Sequence, residues 1–119
     1  MIVVRGSGRA FCSGGDVVSL YHGDADMHAT YIKEEYSLDL LVHRLSVPYI
    51  AVMDGITMGG GCGISVNGRY RVATKRTVMA MPECSIGLVP DVGAGRFLPK
   101  LDNHLGLFLG LTGYRYLLL

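Results

Sequence analysis

TMGGGCGISV, residues 57–66, makes four of the five positions from Gly59 to Gly63 glycine, with Cys62 between them, and runs straight into an apolar segment. A glycine inside a helix costs about 0.5–1 kcal/mol relative to alanine, so such a run needs a mechanical reason. The reasons available are a positive φ, a close approach of backbone to something else, or close helix packing. Familiar glycine motifs do not fit. Starting G-x-G-x-x-G from Gly59, Gly61 or Gly93 puts Ile64, Val66 or Leu98 at the sixth position. No G-x-x-x-x-G-K-[ST] occurs, and G-x-S-x-G fails because Asn67 stands two residues after Ser65. What remains is a bare-backbone turn between a strand at 48–54 and a short helix from Gly60 to Val66. Amide N–H groups in such a turn suit a developing oxyanion.

A second glycine turn, FCSGGD (11–16), follows the first apolar run. One donor from each turn would hold one carbonyl oxygen between them; the competing reading is that both are simple tight connections. Working outward, MIVVRG reads as a buried strand closed by Gly6-Ser7-Gly8. Residues 27–46 place Tyr31, Leu38, Leu41, Val42 and Leu45 at helical spacing. PYIAVMDG, RYRVAT and VMAM read as further strands, and 97–113 as helical pieces. Strands alternating with helices argue for an α/β fold with parallel pairing. Met1 leads directly into a strand and GYRYLLL ends without a cap, so the chain reads as one interrupted domain over 1–119.

Composition narrows the function. Half of the 119 residues are hydrophobic and 18% are charged, the balance of a globular chain. The net charge is +1 with scattered basic residues, which points to neither a nucleic-acid nor a membrane partner. Cys12, Cys62 and Cys84 are an odd count without C-x-x-C, and His22, His28, His43 and His104 lack H-E-x-x-H spacing, so no metal site is expected. Cys62 reads as a buried small hydrophobe. Glu83 and Asp91, taken alone, read as a solvated strand-end charge and a helix N-cap. Glu34 and Glu35 both fall near the apolar sector of their helix, and spacing does not separate them.

GRAFCSGGD, DGITMGGGCGISV and MAMPECSIGLVPDVGAGRFLP, in that order, resemble the enoyl-CoA hydratase/isomerase (crotonase) superfamily over about residues 2–115. Within it the resemblance is closest to the branch that hydrolyses 3-hydroxyisobutyryl-CoA in valine breakdown. The resemblance implies a spiral of ββα units, here incomplete at both ends, with C-terminal capping and oligomerisation helices absent. Homo-oligomers are then expected only of a longer form. It implies an acyl-CoA substrate, no separate cofactor, and a mitochondrial location. It assigns the oxyanion hole to the amides of Gly15 and Gly60. It makes Glu83 the catalytic glutamate and Asp91 a carboxylate that orients the substrate hydroxyl or the water. Glu35 becomes a substrate-site glutamate, and the backbone of Ser13, Gly14 and Gly15 holds the coenzyme A end. Arg5 and Arg9 flank that turn as candidates for its phosphates. The hydratases of the superfamily carry a second catalytic glutamate three positions after the oxyanion glycine; Gly63 stands there in this chain. That difference favours thioester hydrolysis over hydration, with a hydratase/isomerase or an inactive remnant as the alternatives.

Overall fold

The computed structural model describes residues 1–117; Leu118 and Leu119, the end of GYRYLLL, lie outside the described residues. The chain winds in turns of two strands and a helical segment. The first turn is β1 (Ile2–Arg5), β2 (Ala10–Cys12), α1 (Val17–His22) and α2 (Ala25–Arg44). The second is β3 (Tyr49–Met53), β4 (Ile56–Met58) and α3 (Gly60–Val66). The third is β5 (Tyr70–Ala73), β6 (Val78–Ala80), a 3₁₀ turn at Glu83–Ile86, α4 (Ala94–Phe97) and α5 (Leu105–Thr112). A final strand, β7, covers Tyr116–Leu117.

Each turn of the spiral adds one strand to each of two sheets. One sheet runs β1-β3-β5 and the other β2-β4-β6-β7, with every pairing parallel except β6 with β7. Register stacks the turns directly: Ile2 opposite Tyr49, Ile50 opposite Tyr70, and Ile56 between Ala10 and Val78. The expected ββα spiral is thus present, with two strands per turn. The reading had missed β2, β4 and α1. These strands are three residues long, too short for a period of two to show. The glycine turn therefore follows β4 and not the strand at 48–54.

Two corrections concern burial. Strand β1 is an edge strand and largely exposed; the central strand β3 is the buried one, turning Tyr49, Ala51 and Met53 inward. On α2, Leu38 and Leu41 face outward, whereas Asp39 and Val42 are buried. The core has two parts: Phe11, Val42, Tyr49, Ala51 and Met53 between the first two turns, and Cys62, Met81, Val92, Ala94, Leu98 and Leu109 beneath the third. No helix among the described residues is long and apolar enough to cross a membrane.

Candidate active site

Tyr31, Glu35 and Asp39 are spaced four residues apart and so share one face of α2. That face lies on glycines. A β-carbon at Gly15 would overlap the Tyr31 hydroxyl, one at Gly60 would overlap Glu35 Oε1, and one at Gly63 would stand 2.8 Å from both Asp39 oxygens. The opening glycines are there because polar side chains of α2 already fill the space in front of them. At Gly60 an added side chain would displace the Glu35 carboxylate. Gly61 has a different reason, since a β-carbon there would meet the Cys12 backbone, its carbonyl carbon at 2.8 Å. Gly59, at φ 52° and ψ −124°, needs glycine for its backbone alone.

Two tyrosines of α2 hold two carboxylates. The Tyr31 hydroxyl donates to Glu35 Oε1 at 3.0 Å, and the Tyr36 hydroxyl donates to Asp91 Oδ2 at 3.1 Å. Burial raises the Glu35 pKa; the Tyr31 bond pulls it back and the Asp91 carboxylate pushes it further up. Burial and then the Glu35 charge push Tyr31 up to about 12, so it stays a donor. Glu34 is exposed, which settles which of the adjacent glutamates faces the site.

Glu83 opens the 3₁₀ turn after β6 and is buried, 7% exposed, instead of solvated as its position alone suggested. Its Oε1 lies 3.0 Å from where a Gly59 β-carbon would be, and its Oε2 has no hydrogen-bond partner among the described residues. Burial, then the Asp91 and Glu35 charges, raise its pKa. A carboxylate so placed favours taking up a proton.

Asp91 is not an N-cap; Gly93 occupies that position of α4. Its neighbour Val92 sits at φ 41°, a strained backbone for a β-branched residue. Asp39 is 7% exposed and neither of its oxygens has a hydrogen-bond partner among the described residues. The nearby Asn67 amide donates instead to the carbonyls of Gly63 and Val92, at 2.9 and 3.3 Å. Burial and then the Glu35 charge push the Asp39 carboxyl up to about 6, the Asn67 side chain offsetting part of this.

The two glycine turns touch. A β-carbon at Gly14 would lie 3.4 Å from the Gly60 nitrogen, and one at Gly60 would lie 3.6 Å from the Gly14 Cα. Among the described residues neither the Gly15 nor the Gly60 amide has a hydrogen-bond acceptor. Ser13, exposed, and Gly14, at φ 101°, complete the first turn, which Asp16 closes by accepting from the Val18 and Ser19 amides. Arg5 and Arg9 make no ion pair among the described residues. Cys62 is fully buried, and burial ahead of the Glu83 charge pushes its thiol up to about 12, which removes it as a nucleophile.

The structure therefore brings Gly14, Gly15, Gly59, Gly60, Glu35 and Glu83 into one cluster, with Asp91 tied to it through Tyr36. The sequence reading missed the polar roles of Tyr31 and Tyr36 and missed Asp39 altogether. The four-residue spacing of Tyr31, Glu35 and Asp39 was the available signal.

The chain is similar to known proteins in sequence and in fold. The family model for enoyl-CoA hydratase/isomerase matches residues 1–117. The chain is 52% identical over 120 residues to a Gallus gallus protein named 3-hydroxyisobutyryl-CoA hydrolase, mitochondrial, and 47% identical over 119 residues to the Homo sapiens protein of that name. Each alignment covers 97% of this chain and 31% of the relative, so the chain spans about a third of the length of the curated proteins it matches. Among solved structures, a carnitinyl-CoA dehydratase from Mycobacterium thermoresistibile superposes with TM-score 0.93 at 42% identity, covering 97% of this chain and 35% of that one. An enoyl-CoA hydratase from Rhodobacter sphaeroides gives 0.90 at 38%, covering 96% and 35%. On a match that runs the length of its described fold, the chain belongs to the enoyl-CoA hydratase/isomerase family.

Proposed function

We propose that this chain carries the site of a thioester hydrolase that converts 3-hydroxyisobutyryl-CoA, or a close β-hydroxyacyl-CoA, to the free acid and coenzyme A. The observation that carries the reading is the buried Glu83 carboxyl, with an unpartnered oxygen, beside the glycine turn. The names of the relatives supply the substrate class and a mitochondrial location. Catalysis belongs to the longer protein insofar as the chain spans a third of those relatives, and so does any assembly into oligomers.

In this reading the thioester oxygen sits between the free amides of Gly15 and Gly60. Glu83 removes a proton from a water as that water attacks the carbonyl carbon, and the oxyanion is held by the two N–H groups. Collapse breaks the carbon–sulfur bond, and the departing thiolate takes the proton from Glu83, restoring the carboxylate. General-base catalysis of this kind supplies about 10²–10⁴-fold, and one oxyanion donor about 2.7–4 kcal/mol. Asp91 and Glu35 orient the hydroxyl or the water, and the backbone at Ser13, Gly14 and Gly15 receives the coenzyme A end. Direct attack by Glu83 to form an anhydride is the variant mechanism; a single turnover in ¹⁸O-water labels Glu83 only in that case.

Thiol release from 3-hydroxyisobutyryl-CoA by the longer protein that carries this segment, with and without Glu83→Gln, tests the proposal; equal rates would remove Glu83 from the mechanism. A second reading, hydration of an enoyl thioester, is favoured by one observation. The Asp39 carboxyl stands against Gly63, so the region holds another buried acid despite the glycine there. Turnover of crotonyl-CoA without thiol release would select it.

A further inference from the structure

Asp39 is the group that the hydrolytic scheme leaves unused. It is buried between α2 and α3, its two oxygens make no hydrogen bond among the described residues, and the nearby Asn67 amide, close enough to hold the Asp39 pKa down in part, donates to two backbone carbonyls. A buried acceptor without a donor is costly and calls for an explanation. Structure-building does not provide one, since a leucine of similar size would fill the same seat at no electrostatic cost. The seat is not isolated. Asp39 borders a cavity of about 320 Å³ whose wall also contains Tyr36, Asp91, Val92 and Asn67, with the Arg96–His43 pair on its rim side. The cavity is of the size that takes a small ligand. Asp91 thus contributes both to that cavity and, through Tyr36, to the α2 face that carries Glu35 over Gly60.

We propose that Asp39 is a specificity-determining residue of the proposed hydrolase site: it accepts the hydrogen bond of a hydroxyl on the acyl group, which enters the cavity between Asp39 and Asp91. A rotation of the Asp39 side chain brings its oxygens from the Gly63 seat into the cavity. The donor it lacks in the free protein then comes from the substrate. A site with a buried acceptor waiting for a hydroxyl discriminates strongly against an analogue without one, because the acceptor stays unpaired when that analogue binds. The carboxylates of Glu35 and Asp91 on either side make an anionic ligand group unfavourable in the same place, so the ligand is a neutral hydroxyl and not a free acid. This inference rests on the hydrolase reading for its chemistry, but its signature is a ratio between two substrates.

The experiment compares 3-hydroxyisobutyryl-CoA with isobutyryl-CoA, which differs by the hydroxyl alone, in the longer protein that carries this segment, as wild type, Asp39→Leu and Asp39→Asn. Both kcat/KM for thiol release and equilibrium binding are measured, together with thermal melting. The expected result is a wild-type preference for the hydroxylated thioester that Asp39→Leu reduces roughly ten- to a hundredfold, the range for a hydrogen bond to a charged acceptor. Asp39→Leu costs isobutyryl-CoA turnover less than it costs the hydroxylated thioester, and it melts at or above the wild-type temperature because an unpaired carboxyl has been removed. Asp39→Asn, which keeps an acceptor oxygen, retains part of the preference. Equal losses on both substrates, an unchanged ratio, or a lower melting temperature with the ratio intact would overturn the proposal and leave Asp39 a packing residue. If wild type releases thiol from neither thioester, the hydrolase reading fails. The binding ratio then still decides about Asp39: a hydroxyl preference lost in Asp39→Leu supports it, and no preference refutes it.

Discussion

Gly60→Ala and Gly61→Ala are adjacent, chemically identical changes that the structure separates into a loss of function and a loss of fold. At Gly60 the new methyl group displaces the Glu35 carboxylate; the next nearest atoms, Glu35 Cδ and Gly14 Cα, are at 3.6 Å, an ordinary contact. Glu35 is the end of a flexible side chain and swings away, losing its bond from Tyr31. That loss is about 1.5–3 kcal/mol at most for a charged acceptor. Alanine in a helix returns about 0.5–1 kcal/mol. The net destabilisation is then about 0.5–2.5 kcal/mol, which lowers Tm by roughly 2–10 °C for a chain of this size. At Gly61 the methyl group meets backbone: the Cys12 carbonyl oxygen, its carbon at 2.8 Å and Cys12 Cβ at 3.0 Å. Relief requires β2 and α3 to move apart, and overpacking of a site that cannot yield costs about 1–3 kcal/mol or more. The expected outcome is a folded Gly60→Ala with thiol release down at least tenfold, and a Gly61→Ala that melts well below it or does not fold. Circular dichroism melts and a thiol-release assay on the same preparations read both. A Gly61→Ala as stable as Gly60→Ala, or a fully active Gly60→Ala, would refute the packing argument.

Three further outcomes follow from the same contacts. Glu83→Gln should lower thiol release by about 10²–10⁴-fold while leaving thermal stability unchanged or higher, since a buried, partly unpartnered charge is removed. Stability should rise as pH falls from 7 toward 4. Asp39, Glu35 and Glu83 all hold protons more tightly in the fold than unfolded; the Asp39 contribution is full below its ordinary value near 3.8 and is lost as pH rises through about 6, and the two glutamates act in the same direction. Chemical denaturation at pH 5 and 7.5 should show a difference on the order of 1–3 kcal/mol that shrinks in Asp39→Leu. Tyr36→Phe frees Asp91 from its one side-chain donor and should raise KM a few-fold, with melting within about 2 °C, because the bond is exposed.

How much of this was legible in the sequence depends on the range over which each feature is encoded. The helix at Gly60–Val66 and the strand around Tyr49–Met53 were readable because glycine turns and continuous apolar runs are local signals. β2 and β4 were not, being only three residues long and defined by pairing with distant strands. The face of α2 was misjudged for a related reason. Its leucines satisfy helical periodicity, yet the packed seam is Tyr31, Glu35, Asp39 and Val42, since glycines in the first turn and α3 leave room for polar heads there. Burial of Glu83 comes from the stacking of β6 beside β4, a tertiary fact that a lone strand-end glutamate does not announce. The family resemblance pointed to Glu83, Glu35, Gly15 and Gly60, which lie in one cluster, and to Asp91, whereas Asp39 emerged only once α2 lay on α3.

The central claim is that one acyl oxygen is bound jointly by two backbone amides from separate turns, with Glu83 within reach of the carbonyl carbon. A crystal structure of the Glu83→Gln protein with 3-hydroxyisobutyryl-CoA bound measures this directly. The account predicts the thioester oxygen about 3 Å from both the Gly15 and the Gly60 nitrogens, with the residue-83 side chain on the open face of the carbonyl. A thioester oxygen that points to solvent, or that meets only one of the two amides, would contradict it.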